Sequence, residues 1–401
     1  MARILWLNWS GGGNLPPSLG VARVLSERGH QVTFAGRPEM VPRVRTAGFR
    51  AIEITDAYAE VDRYPQGLPF TKPSCYLTSP AVEKQIKSIV SGEGPDLICI
   101  DAMFSAALAH ASDYGCPTVV FSHSFVFRQL DMWRRISGQF IGMREQAGFG
   151  TLPPLEESWL TTDRIIVTGL AAFDGPRLVG WDLVRHVGPV LEDEKFARLC
   201  ALPWPEQDTT PLLLISFSTM FEQRNADKIQ KSLDALSGLG VHVVATTAGI
   251  VAPSELTVPD NAVVFDYAAH DPILKRAALV VTHGGHGTAM RALKHGVPMV
   301  VIPGLAGDQP YVAAAVQEFG AGRALPQDAG VEAIRTAAEE VLRTPSFTAN
   351  ARERAVMLAG VDGAANAADE VEALLAAKPP RAHIGVPVQR ENRATSSTCG
   401  V

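Results

Sequence analysis

Short apolar runs rich in β-branched residues recur along the chain, with helix-like stretches between them. This is the pattern of parallel strands buried on both faces. In the first half, residues 4–8, 32–35, 51–54, 97–101 and 118–122 read as strands. Pro16 and Pro17 suit the first turn of a helix on which Leu15, Leu19, Ala22 and Leu25 share a face, and Gly29 ends it. Gly115 and Pro117 punctuate the approach to the fifth strand. In the second half, strands are predicted at 212–216, 241–246, 263–265, 279–282 and 298–302, again separated by helices, and further helices run from about 331 to 377.

The two series are separated by 191–211, where Pro203, Pro205, Pro211 and the charged run Glu192-Asp-Glu-Lys195 break all periodicity. The expected architecture is α/β, with two Rossmann-like parallel-sheet domains facing each other across a cleft. An N-terminal domain spans 1–190, a linker 191–211, a C-terminal domain 212–360 and a final helix 361–377. The segment 378–401, with Pro379-Pro380 and Ser396-Ser-Thr, reads as a disordered tail. Ligand is expected in the crevice at the carboxyl ends of the strands. No internal repeat is visible.

Composition supports this picture and narrows the function. A chain of 401 residues with 46% apolar side chains fills two cores. The net charge of −6 gives no electrostatic footprint for nucleic acid or anionic lipid. Five cysteines, odd in number and without paired metal spacing, point to a reducing compartment. With no apolar run of about 18 residues and no signal-peptide profile, the expectation is a cytoplasmic protein without a membrane span.

The densest chemical signal is Val281-Thr-His-Gly-Gly-His-Gly-Thr288, followed by a helix that stops at Gly296 and a strand over 298–302. Glycines after a buried strand let the backbone turn, and a helix predicted from Gly287 offers unpartnered first-turn N–H groups and a favourable dipole to an anion. Gly285, Gly287, His286, the Thr288 hydroxyl and the His283 imidazole therefore compose a candidate diphosphate cradle. Two other readings of these residues fit less well. His283, His286 and Asp308 as metal ligands lack a Cys or Glu to complete the set, so no metal is expected. The dinucleotide fingerprint fails because Met290 stands where its third glycine belongs.

The block His283-Gly-Gly-x-Gly-Thr288, Ala292-Leu-x-x-Gly-Val-Pro298, Pro303 and Asp308-Gln309 resembles the donor-binding signature of GT-B glycosyltransferases that act on natural products. The likeness extends from about Arg3 to Ala377 through Pro17–Phe34, Pro95-Asp-Leu-Ile-x-x-Asp101 and Val187-Gly-Pro189. It implies an inverting glycosyltransferase moving a hexosyl or deoxyhexosyl group from a UDP- or dTDP-sugar to a small hydrophobic acceptor, phenolic or polyketide-like, by O- or C-glycosylation. No other cofactor is implied. It also implies that the last helix crosses back onto the N-terminal domain. Residue by residue, Thr219 is expected at a phosphate, Tyr267 on the nucleobase, and Asp308 and Gln309 on hexose hydroxyls. Arg291 stands where many relatives place a ribose-binding glutamate.

One departure bears on the mechanism. Asn14 occupies the position of the usual catalytic histidine, while Asp101 falls where the family keeps the aspartate that orients it. Three candidates remain for the acceptor side. Asp101 is expected as the base because burial in an apolar crevice raises a carboxyl, although it also suits capping the turn near Phe104. His123, just past the fifth strand, is the alternative base. Asn14 holds an acceptor hydroxyl or acts as a helix N-cap. Phe70, Phe127 and Trp133 are the candidate acceptor-binding aromatics, from segments that also carry Phe125, Met132, Phe140 and Met143. Two further readings stay open: a sugar-nucleotide-binding auxiliary protein without turnover, and another GT-B enzyme such as an epimerase or phosphorylase. A homodimer is also left open.

Overall fold

Strand β1 (Arg3–Asn8) lies in the interior of the first sheet, and its side chains alternate between two cores. Leu5 and Leu7 pack into one, Ile4 and Trp6 into the other. Strands β2 (Gln31–Gly36), β3 (Arg50–Glu53), β4 (Leu97–Asp101), β5 (Thr118–Ser122), β6 (Arg164–Val167) and β7 (Val184–His186) join it in the order β3-β2-β1-β4-β5-β6-β7, all parallel. The second sheet repeats the plan. Strands β8 (Leu212–Ser216), β9 (His242–Thr246), β10 (Ala262–Phe265), β11 (Ala277–Thr282), β12 (Met299–Val301) and β13 (Gly322–Ala324) are ordered β10-β9-β8-β11-β12-β13, again parallel. Leu212 and Leu214 face one core, Leu213 and Ile215 the other. Each sheet is thus a doubly wound α/β layer with a switch point beside its first strand, at β1/β4 and β8/β11.

This computed structural model describes residues 1–9, 12–68, 70–191, 200–205, 207–217, 226–304 and 307–377. Thr219, the segment 378–401 and much of the linker lie outside them. Among the described residues no helix is long and apolar enough to cross a membrane.

Strands β6, β7 and β13 are absent from the sequence reading. Each has only three or four residues; β7 and β13 carry an arginine at their middle position, and the apolar run of β6, Ile165-Ile166-Val167, is only three residues long. The helix after β11 starts at His286, with Gly285 as N-cap, one residue earlier than expected.

The final helix, Gly363–Ala376, packs on helix Leu15–Glu27 of the first domain. Ala367, Ala368 and Val371 enter the core around β1. Asn366 Nδ2 donates to the Val187 carbonyl at 2.9 Å, and Arg28 pairs with Asp369 and Glu372 at 2.6 and 2.7 Å. The crossing is too tight for a side chain at Gly188 (φ +92°), where a Cβ would come within 2.2 Å of Val361 Cγ1.

Candidate active site

The carboxyl ends of both sheets open onto one cavity of about 600 Å³ between the domains. On the C-terminal side its wall begins where β11 ends. His283 is buried, Gly284 turns the chain at φ +84°, and Gly285 caps helix His286–Lys294. His283, Gly285, His286, Gly287 and Thr288 all line the cavity, so the first-turn N–H groups and the Thr288 hydroxyl face one space. A Cβ at Gly284 would lie 2.8 Å from Val301 Cγ1 and 3.1 Å from the Gln309 carbonyl oxygen, so only glycine permits this packing.

Burial pushes the imidazoles of His283 and His286 down to about 4. Both are neutral near pH 7 and act as N–H donors without a positive charge. The His286 ring meets Phe125 of the first domain edge-on at 5.1 Å. Among the described residues no three His, Cys, Asp or Glu side chains cluster as metal ligands.

Asp308 is the N-cap residue of helix Gln309–Glu318, yet its side chain makes no cap hydrogen bond and it lines the cavity. Gln309, beside it, accepts the Gly304 N–H at 2.7 Å through Oε1. The C-terminal wall is completed by Ser216, Thr246, Asp266, Tyr267, His270 and Arg291. Tyr267 is 42% exposed there, and Arg291 pairs with Asp271 at 3.2 Å. Thr246, Asp266 and His270 did not stand out in the sequence. The signal that finds them is position alone, at or just past the carboxyl ends of β9 and β10.

The N-terminal wall holds Asn14, His123, Trp9, Phe70, Met132, Trp133 and Phe140, with Gln129, Arg135 and Gln139 as polar members. Phe70 is 41% exposed at this surface. Trp133 is nearly fully buried, its Nε1 donating to the Phe125 carbonyl at 3.1 Å, and it presents only part of its ring. Phe127 does not line the cavity, contrary to expectation. Asp174 accepts hydrogen bonds from the N–H groups of Val126 and Arg128, which turns the loop so that Phe127 packs against Trp181 and His186 instead.

Asp101 also stands back from the cavity. It is 1% exposed, and both carboxylate oxygens are engaged: Oδ1 accepts the Met103 N–H at 3.0 Å and Oδ2 accepts Asn14 Nδ2 at 2.7 Å. Burial raises its carboxyl above the usual range, opposed by the His123 imidazole, the Met103 N–H and the Asn14 amide. Asn14 makes no helix-cap bond with its side chain; it covers Asp101. Asn8 extends the network, donating to Ser18 Oγ at 3.1 Å while its carbonyl accepts the Tyr76 hydroxyl at 2.9 Å. His123 is half-buried with Nδ1 on the covered side, so its Nε2 edge is the one open to the cavity. Thr219, expected at a phosphate, lies outside the described residues.

This two-walled cleft has close counterparts. The sequence profile of the family described as Erythromycin biosynthesis protein CIII-like, C-terminal domain, matches residues 230–374. The NDP-glycosyltransferase YjiC of Bacillus subtilis (strain 168) is 26% identical over 382 residues, covering 90% of this chain and 95% of that protein. The oleandomycin glycosyltransferase of Streptomyces antibioticus is 28% identical over 406 residues, 95% of this chain and 92% of that one. Over nine-tenths of its length the chain is thus similar to proteins named as glycosyltransferases, at modest identity. The fold also matches the crystal structure of the glycosyltransferase VinC in complex with dTDP, with a TM-score of 0.69, 19% identity, and coverage of 93% of this chain and 99% of that one.

Proposed function

We propose that the enzyme is an inverting glycosyltransferase that moves a hexosyl or deoxyhexosyl group from a UDP- or dTDP-sugar to a small hydrophobic acceptor, at a phenolic oxygen or an electron-rich aromatic carbon. The observation that carries this reading is the opposition of two walls across one cavity. Anion-accepting groups at Gly285–Thr288 face an apolar wall that bears His123 and Asn14. The dTDP of the VinC complex supports a pyrimidine diphosphate as the nucleotide of the donor.

In this scheme the diphosphate rests on the helix start at His286, with the neutral His283 and the Thr288 hydroxyl as further donors. Tyr267 covers the base, and Asp308 and Gln309 hold sugar hydroxyls. The acceptor nucleophile attacks the anomeric carbon from the opposite wall. Its new bond forms as the bond from that carbon to the diphosphate oxygen breaks, and the electron pair leaves with the diphosphate. The proton goes to His123. Preorganised donors at the departing oxygen are the main source of acceleration. Asp101 acts behind the surface, fixing the Asn14 amide and favouring positive charge on His123 as the proton arrives. The base role expected for Asp101 thus passes to His123, because Asp101 has no surface on the cavity.

Calorimetry and turnover test this reading together. UDP or dTDP, and not NADP, is expected to bind and raise the Tm by linkage. A panel of nucleotide sugars with phenolic acceptors is expected to yield glycosides. Binding without any turnover would mark an auxiliary protein, and consumption of donor without an acceptor would mark epimerase or hydrolase chemistry.

A further inference from the structure

Helix Gln309–Glu318 of the C-terminal domain is gripped at both ends by the N-terminal domain. Near its start, the Tyr311 hydroxyl donates to Asp131 Oδ2 at 2.8 Å and accepts from Arg135 Nη2 at 3.2 Å. Asp131 and Arg135 belong to helix Leu130–Gln146, whose Met132, Trp133 and Phe140 form the apolar wall of the cavity. The Tyr311 ring packs against the core of the first domain and also lines the cavity. At the other end Glu318 accepts Arg128 Nη1 at 2.7 Å, and Phe319 packs on Phe173 at 5.0 Å.

The first turn of this helix transmits position. The N–H groups of Tyr311 and Val312 both return to the Asp308 carbonyl, at 3.0 and 2.9 Å, and Pro310, just before Tyr311, has a fixed φ. Asp308 and Gln309 therefore move with Tyr311. Gln309 in turn abuts the glycine turn of the diphosphate cradle, its carbonyl oxygen close against Gly284. A continuous packed path runs from the acceptor wall through Tyr311 to the sugar end of the donor site.

We propose that Tyr311 is a positioning residue that registers the sugar end of the donor site against the acceptor helix, so that the closed cleft favours transfer to the acceptor over hydrolysis of the donor. This rests on the glycosyl-transfer reading above. In the competing hydrolysis a water oxygen bonds to the anomeric carbon, the same bond to the diphosphate breaks, and the proton passes to His123. Losing the register leaves that route open while slowing attack by a bulkier acceptor, because sub-ångström alignment of the reacting atoms governs the rate.

The test uses the full chain with two sets of changes: Tyr311→Phe, and the pair Asp131→Asn with Arg135→Gln on the facing helix. UDP and dTDP affinity, transfer to a phenolic acceptor, and donor hydrolysis are measured in the same preparations. Nucleotide affinity is expected to stay within about twofold of wild type. Transfer kcat is expected to fall about tenfold, and the ratio of hydrolysis to transfer to rise several-fold, in both sets. If Tyr311→Phe does not fold, the facing pair, at exposed positions, gives the same readout. Wild-type transfer and an unchanged ratio in the variants overturn the proposal, even where Tm falls, since a purely structural contact alters stability without altering partition. A wild-type enzyme that binds nucleotide but transfers nothing overturns the functional reading, and this inference with it.

Discussion

Asn14 Nδ2 donates to Asp101 Oδ2 at 2.7 Å, and both residues are only 1% exposed. The amide thus seals a buried carboxylate from the cavity while taking part in the cavity wall itself. Removing it leaves the Met103 N–H as the remaining hydrogen-bond donor to the Asp101 carboxylate. Asn14→Ala is expected to cost about 1–3 kcal/mol of stability in denaturant unfolding, the penalty for a buried acceptor that loses its partner. An unchanged unfolding midpoint would show that the contact contributes nothing.

The same geometry makes Asn14→His informative. An imidazole in place of the amide would sit against Asp101 at the cavity surface and supply a second base. The variant is expected to gain activity toward aliphatic alcohols, which are less acidic than phenols and need more help in losing a proton. A substrate range identical to wild type would contradict this.

His123→Ala removes the proton acceptor that the account places on the cavity wall. Turnover is expected to fall on the order of 10²-fold with nucleotide affinity retained. Asp101→Asn keeps the shape and is expected to cost less, because Asp101 acts only through its neighbours. If Asp101→Asn is the more damaging change, the carboxylate is the base and the two roles are reversed.

On the donor side, His283→Ala is expected to lower turnover on the order of 10²-fold, and Thr288→Ala by less, since each removes one donor to the departing diphosphate. Steady-state rates, with and without a chelator, provide the check. Chelator is expected to change little, because protein groups carry the leaving charge.

Stability is expected to depend on pH through three histidines, His283 and His286 buried and His270 half-buried. Burial pushes His270, His283 and His286 each down to about 4, whereas an unfolded histidine titrates near 6.5. Between those values the unfolded chain binds more protons than the folded one. Stability is therefore full above about pH 6.5 and falls as the pH drops toward 4. The raised carboxyl of Asp101 works in the opposite sense, favouring the folded state as it takes up a proton. Tm is expected to decline between about pH 7.5 and 4.5, and His286→Gln to flatten the slope. A Tm independent of pH in the wild-type chain would contradict the burial argument.

What was legible in the sequence was local. Leu97–Asp101, Thr118–Ser122 and Leu212–Ser216 match the observed strands because a parallel strand covered on both faces is a continuous apolar run bounded by breakers. The turn after β11 was legible as a turn because its glycines and the following helix are adjacent in the chain. Contacts between distant segments were not legible. The withdrawal of Asp101 depends on an amide 87 residues away. The burial of Phe127 depends on the Asp174 carboxylate, 46 to 48 residues downstream, which holds its neighbours' N–H groups. Tyr311 meets its partners 176 and 180 residues earlier in the chain, across the cleft. No periodicity records such pairings.

The anomeric configuration of the product reports directly on the direction of attack in the cleft. An α-linked UDP- or dTDP-hexose is incubated with a phenolic acceptor and the purified chain, and the glycoside is examined by NMR. Attack from the wall opposite the diphosphate predicts a β-glycoside formed in equal amount to the nucleoside diphosphate released. An α-glycoside, or diphosphate released without any glycoside, would contradict the account.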